Sequence, residues 1–391
     1  MSTSGMDLGL PGEDDERRQA VRRWLAEHPQ PTPRQLAEAG YVTPHWPRPW
    51  GLDADPVHQL IIDEELQRAS VRRPQNQIAM GWAGPTIIHA GTDEQKQRYL
   101  MPLLAGEEIW CQLFSEPGSG SDLASLSTRA TREGDGWIVN GQKVWTSGAQ
   151  FSRYGILLAR TDPDAPKHRG ISYFICPMDA PGVTVRPLRE MTGAALFNEV
   201  FLDDVYLGPE ALVGEEGDGW KLAKVTLGNE RVSLSSGGAL WGAGPTAYDL
   251  LELVRQRGGT SDPGLRDRLV QLYVQAEALR LMRLRMLAAT LSGQQPGPEA
   301  SVRKLLADEH GQDILNLARD LAGPAGLLEG AGPLGEQSAE WHRGWLFAPA
   351  LTIGGGTSQV QKNILAERVL GLPRDADPDA GRPWNSGRVR A

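Results

Sequence analysis

The chain has 391 residues, 40% hydrophobic and 23% charged, with a formal net charge of −9. That length exceeds one ordinary core, so two or three domains are expected, and the acidic balance argues against nucleic acid as the main partner. No apolar run approaches the ~20 residues that cross a bilayer. The opening stretch, MSTSGMDLGLPGEDDERRQ, is polar and acidic, unlike a secretory leader. Two cysteines, Cys111 and Cys176, exclude a disulfide scaffold and lack neighbours at metal-type spacing. Both read as core residues of a protein in a reduced, cytoplasmic setting.

Residues 13 to 108 carry helical spacing. DDERRQAVRRWLAEH puts Val21, Trp24 and Leu25 on one face, PVHQLIIDEELQRA opens with a proline at a helix start, and TDEQKQRYLMPLLAG has Thr92 as its cap. YVTPHWPRPWGL, with three prolines, reads as a loop.

From 109 to 212 the pattern changes to strands. GWIVNGQKVW predicts a hairpin turning at Asn140-Gly141. YGILLART, ISYFICPM, VTVRPL and EVFLDDVYL follow, separated by Asp, Pro and Gly clusters. Short antiparallel strands of this kind predict a barrel or sandwich. Long helical segments return from 217 to 372, with apolar stripes that predict a helical bundle. The last residues, RDADPDAGRPWNSGRVRA, have little to bury and read as a flexible or partner-draped tail. The expected division is 1–108 N-terminal helical, 109–212 β-domain, 213–373 helical bundle and 374–391 tail, an α+β chain.

Three stretches could carry chemistry. SEPGSGSD at 115–122 combines glycines and hydroxyls in a loop that is either an ordinary turn or a backbone cradle for an anion. NGQKVWTSGA places Thr146, Ser147 and Gly148 after Trp145, whose ring either ends a strand in the core or backs a flat heterocycle. TIGGGTSQVQKN at 352–363 runs three glycines into a helix start that Thr357 or Ser358 can cap, with Gln361 at capping-box spacing from Ser358.

In this order and spacing, SEPGSGSD, NGQKVWTSGA and GGGTSQVQKNILAERVLG resemble the acyl-CoA dehydrogenases, flavoproteins that oxidise acyl-CoA thioesters to 2,3-enoyl-CoA. The resemblance extends over about 13–373. PHWPRPWGL, WAGPTIIHAGT and ARTDPDAPKHRGISYFI are similar to the bacterial enzymes of steroid and other bulky-acyl catabolism. It implies an N-terminal helical domain, a middle β-barrel or sandwich and a C-terminal four-helix bundle, with FAD between the last two. Carried over by position, Phe114 and Ser115 would touch the flavin ring. Gly120 and Ser121 would follow the ribityl-phosphate region or the CoA side. Trp145 and Ser147 would lie on the flavin face, Ser147 near N5, and Thr357 and Gln359 would reach the nucleotide portion. From a neighbouring subunit, Arg257 would contact the FAD phosphates, with Asp320 and Gly323 close by, although the aromatic that usually follows that arginine is replaced by GGTSDP. A homotetramer or homodimer, an acyl-CoA substrate and an electron-transfer flavoprotein as acceptor are implied as well.

The reaction needs a base for the proton next to the thioester carbonyl. Many members of the family place a glutamate just before the Gly-Thr of the closing helix, where this chain has Gly355. The isovaleryl-type branch instead carries its glutamate early in the first long C-terminal helix, where VTLGNERVSL offers Glu230 followed by Arg231. The resemblance therefore implies Glu230 as base, Gly355 as space for the acyl chain, and Arg231 as orienting the helix or the substrate pocket. Two other readings remain: one subunit of a heteromeric dehydrogenase, and a related flavoprotein oxidase or monooxygenase.

Overall fold

The computed structural model describes residues 11–234, 244–291, 297, 300–324, 333–376 and 379–386. The N-terminal region is helical, as its periodicity implies. Here α1 (Glu16–Glu27), α2 (Pro33–Glu38), α3 (Pro56–Arg68), α4 (Gly84–Ala90) and α5 (Asp93–Leu104) each start at a readable signal except α4. Asp15 and Asp55 cap α1 and α3, and Thr32/Gln35 and Thr92/Gln95 form reciprocal capping boxes on α2 and α5. α4 continues instead from a five-residue π turn, Ala79–Ala83. Arg18 and Arg22 on α1 both reach Glu65 on α3, at 2.5 and 2.8 Å, and lock the two helices face to face.

The middle region forms one eight-stranded sheet from β1 (Trp110–Leu113), β2 (Arg129–Glu133), β3 (Gly136–Lys143), β4 (Tyr154–Arg160), β5 (Ile171–Pro177), β6 (Val183–Pro187), β7 (Asn198–Leu207) and β8 (Leu212–Val213). The order is β6-β7-β3-β2-β4-β5-β8, with β1 added parallel to β4. Alternation along β4 and β5 sends Ile156, Leu158, Tyr173 and Ile175 towards the N-terminal helices. The intervening Leu157, Ala159, Phe174 and Cys176 meet Trp137, Val139 and Val200 of β3 and β7. The two halves of the sheet thus share an inner core, as a barrel or sandwich requires.

The hairpin expected at Asn140-Gly141 is not where the chain turns. β3 runs straight through both residues, and the β2–β3 turn falls at Gly134-Asp135. Asn140-Gly141 instead marks a register shift against β7 between Val139 and Gly141, with Asn140 donating to Asp204. Gly141 is needed there because a Cβ would sit 2.4 Å from the Thr128 hydroxyl. A bulge and a hairpin turn draw on the same residues, and only long-range pairing separates them.

The C-terminal region holds α6 (Gly219–Leu234), α7 (Ala247–Gln256), α8 (Pro263–Leu291), α9 (Ala300–Ala322), α10 (Pro333–Phe347) and α11 (Ser358–Ile364). α9 is central and packs on α6, α7, α8, α10 and α11. A π turn, Leu365–Val369, prolongs α11, and Gly371 with φ +67° follows it. The tail expected from residue 374 onward is held against the β-domain over 379–386, where Trp384 and Asn385 donate backbone N–H groups to Ala165 and Pro163. Among the described residues no helix is long and apolar enough to cross a membrane, and no group of His, Cys, Asp or Glu is placed to hold a metal. Both cysteines are buried and unpaired, and burial pushes their thiols up to about 12.

Candidate active site

A cavity of about 2150 Å³ opens between the β-domain and the C-terminal helices. Pockets for one drug-sized ligand span roughly 300–1,000 Å³, so this space suits two large ligands lying together. Phe114, Ser115, Gly120 and Ser121 line it from the loop after β1, and Trp145, Ser147 and Gly148 from the end of the β3 arm. Gly355, Gly356, Thr357, Val360 and Gln361 line the opposite wall, while Lys224, Val225, Gly228 and Asn229 of α6 form a third side.

The β wall is built around a buried ion pair. Lys143 Nζ, fully buried, donates to Glu116 at 2.9 Å, to the Phe114 carbonyl at 3.1 Å and to the Leu158 carbonyl at 2.8 Å. Glu116 also accepts from the Ser127 and Thr128 backbone N–H groups and the Ser127 hydroxyl. Burial works against both charges, but these donors and the ammonium outweigh it and hold the Glu116 carboxyl at about 2. One side chain thereby ties the 114–121 loop to the end of β3, two residues before Trp145.

Trp145 sits at φ +61°, a left-handed conformation rare for a bulky residue. The flanking bonds enforce it. Thr146 N–H donates to Asn198 O, Gly148 N–H to Leu196 O, and Asn198 Nδ2 to Thr146 O at 2.9 Å. Phe197 meets the indole edge-to-face and lies parallel to Phe347 of α10, which joins the two walls. The Trp145 side is 62% exposed in the chain, so its face is presented to the cavity mouth and not to the core. The core position that the sequence allowed for this ring is therefore not the one it takes: it lines the cavity.

The helical wall has its own buried lysine. Lys304 on α9 donates to Asp308 at 2.6 Å, to Gly356 O at 2.8 Å and to Leu351 O at 3.2 Å. Burial pushes the Asp308 carboxyl up to about 6 despite the ammonium beside it. Gly355 and Gly356 have φ of +65° and +89°, a pair that side-chain-bearing residues would adopt only under strain. Thr357 is the N-cap of α11 and accepts from Val360 N. Gln361 does not close a capping box: its amide turns back to the Gly355 and Gly356 carbonyls. A glutamate at 355 would have to take the left-handed backbone, so the empty position is consistent with the turn's shape.

The other expected residues divide. Gln359 is exposed on α11 and is not among the lining residues. Arg257 caps the end of α7 and donates to Leu321 O at 3.3 Å. Asp320 beside it pairs with Arg268 at 3.1 Å, and Gly323 is open, with φ +53°. These three lie near one another between the ends of α7 and α9, and none lines this chain's cavity. Glu230 and Arg231 lie on α6 directly after the lining residue Asn229, but their side chains fall outside the described residues. His168, Trp220 and Thr192 also line the cavity. Lone residues in polar loops or at a helix start give no periodic or motif signal, so sequence reasoning passed over them.

The residues fit a flat, polar-edged cofactor. The indole N–H of the lining Trp110 is buried with no protein partner, and Cβ atoms added at the lining Gly120 or Gly148 would meet nothing within 4 Å.

The described fold is a three-part chain with a large cavity between sheet and bundle. Domain descriptions of the acyl-CoA dehydrogenases match all three parts: N-terminal over 14–107, middle over 111–205 and C-terminal over 217–370. The acyl-CoA dehydrogenase FadE34 of Mycobacterium tuberculosis is 46% identical over 87% of this chain, which spans 46% of that relative's length. The acyl-CoA dehydrogenase IpdE1 of the same organism is 40% identical over 94% of this chain and 92% of its own. The solved steroid ACAD Tcur3481-Tcur3483 superposes with a TM-score of 0.75 at 30% identity, covering 94% of this chain and 92% of that one. The chain belongs to the acyl-CoA dehydrogenase family, oxidoreductases that act on CH–CH bonds.

Proposed function

We propose that the protein is an FAD-dependent acyl-CoA dehydrogenase that removes the α-proton and β-hydride of a bulky acyl-CoA thioester. The carrying observation is the cavity itself. It is large enough for two ligands, has an aromatic and hydroxyl wall opposite a glycine turn, and is bordered by α6 up to Asn229, one residue before Glu230. Bound FAD would accept the hydride. Trp145, Ser147, Phe114 and Ser115 would hold the flavin, Gly120 and Ser121 would meet the ribityl-phosphate region or the CoA side, and Thr357 with Gln359 would meet the nucleotide portion.

Glu230 would take the α-proton. Exclusion of water by bound substrate would raise a carboxylate towards the working pH, and hydrogen bonds to the thioester oxygen would lower the barrier to removing the proton. Gly355, with no side chain, leaves the acyl end room, and Arg231 would orient α6 or the pocket. Arg257, Asp320 and Gly323 gather outside this chain's cavity, which fits a role towards a second subunit's FAD. An electron-transfer flavoprotein is the expected acceptor, and the setting cytoplasmic.

A homotetramer or homodimer is one assembly. A two-chain assembly is the second reading, favoured by the paired name of the steroid ACAD that this chain resembles. The experiment is to purify the chain alone, count FAD per chain, and follow anaerobic bleaching by straight, branched and steroid-type acyl-CoA thioesters. Yellow protein bleached by a bulky thioester supports the reading. Colourless protein that gains flavin and activity only with a partner chain shifts it to the heteromer, and rapid oxygen consumption without an acceptor dye shifts it to an oxidase or monooxygenase.

A further inference from the structure

The β4–β5 loop, residues 161–170, borders the cavity through His168 and is tied by Lys167 to the residue after its lining loop. Lys167 pairs with Asp122 at 3.2 Å, directly after the lining residues Gly120 and Ser121. His168 packs on Trp220, with ring centroids 5.0 Å apart, and both line the cavity. The loop is long for an antiparallel connection, and its own bonds are local: Asp162 accepts from Asp164 and Ala165, and Arg169 donates to Pro166.

What holds the loop from outside is the end of the chain. Pro383 bridges to Pro166, Trp384 N–H donates to Ala165 O at 2.9 Å, and Asn385 donates from its backbone to Pro163 O and from its side chain to Asp164 at 2.7 Å. The Trp384 indole covers the guanidinium of Arg160, 4.3 Å from the ring centroid. Arg160 is 1% exposed and donates to the carbonyls of Ala124 and Leu126, on the turn that follows Asp122, and to Lys167 O in the loop. A buried cation under an aromatic face is a stronger contact than an exposed one. Trp384 therefore closes over a side chain that joins the turn after the SEPGSGSD loop to the β4–β5 loop, beside the Lys167–Asp122 pair.

We infer that residues 379–386 form a clasp, and that Trp384 is a positioning residue that sets the β4–β5 loop at the cavity mouth on the side where the CoA portion of the substrate enters. The mouth assignment rests on the proposed acyl-CoA site, whereas the clasp itself does not. A free tail would leave the loop without an outer support and loosen both the Lys167–Asp122 pair and the His168–Trp220 contact at the cavity.

The test compares the full chain with Trp384→Ala, Trp384→Phe and a chain ending at Asp375. Limited trypsin digestion reads cleavage after Lys167 and Arg169, and steady-state assays use whichever thioester bleaches the flavin. Both the alanine variant and the shortened chain should be cut at the loop at least tenfold faster. Their KM should rise about tenfold with kcat and FAD content within twofold, and the phenylalanine variant should restore most of both. Unchanged cleavage in the alanine variant and the shortened chain overturns the clasp. Faster cleavage with unchanged KM overturns the role at the mouth. If no thioester bleaches the full chain, the proposed function fails, and the digestion alone decides the clasp.

Discussion

On the sheet side of the cavity, Lys143 sits among two carbonyls and a carboxylate that is held at about 2 and has three further donors of its own. On the helical side, Lys304 also spans two carbonyls and a carboxylate, but Asp308 is pushed up to about 6 by burial. Both lysines do the same mechanical work, each pinning a glycine-containing segment that lines the cavity. They differ in how many donors satisfy the acid. Glu116 has backbone and hydroxyl donors besides its lysine, so its charge is secure, whereas Asp308 depends on Lys304 and pays more of the cost of leaving water. The sheet wall is thus fixed at any physiological pH, and the glycine turn on the helical wall is held by a pair poised close to neutrality.

Breaking the secure pair should have the largest effect. Lys143→Met leaves Glu116 charged and buried, and removing one partner of such a pair costs about 3–5 kcal/mol. Chemical unfolding should show that loss, together with weaker FAD retention, because Phe114 and Trp145 are positioned from the same lysine.

Acid should then separate the two walls. Glu116 is lowered from 4.5 to about 2, so its contribution is present above pH 4.5 and lost as pH falls towards 2. Asp308 is raised from 3.8 to about 6, so the folded state holds the proton more tightly. Its favourable contribution is full below pH 3.8 and lost as pH rises through 6. Each shift corresponds to about 3 kcal/mol at most. Relative to Asp308→Asn, the parent protein should gain stability as pH drops from 7 to 4; relative to Glu116→Gln, it should lose stability below pH 4.5. Opposite slopes would reverse the comparison.

Lys304→Met should have the smallest effect, about 1–2 kcal/mol at pH 7, because Asp308 can take up a proton once its partner is gone. A loss as large as that of Lys143→Met would show the two pairs to be equivalent.

Much of this was legible in the sequence because it is local. The cap at Thr92, the proline that opens PVHQLIIDEELQRA and the Asp, Pro and Gly breaks between strands identify elements, and SEPGSGSD, VWTSG and GGGTS identify the walls that the fold brings together. What was not legible is long-range. Asn140-Gly141 reads as a turn until β7 pairs with β3 and makes it a bulge. Thr357 and Ser358 compete for the cap until Gln361 turns back to the glycine carbonyls. Lys143 and Lys304 look like ordinary strand and helix lysines, and Trp384 like tail, because their partners lie 27, 52 and 224 residues away, respectively at Glu116, Gly356 and Arg160.

In the proposed reaction Glu230 serves as the base that position 355, a glycine, does not supply. The direct measurement is anaerobic bleaching of the bound flavin in Glu230→Gln by the thioester that bleaches the parent protein. The variant should purify with the same FAD content, bind the thioester and leave the flavin oxidised, with bleaching slowed at least a thousandfold. Full bleaching at the parent's rate would contradict that role.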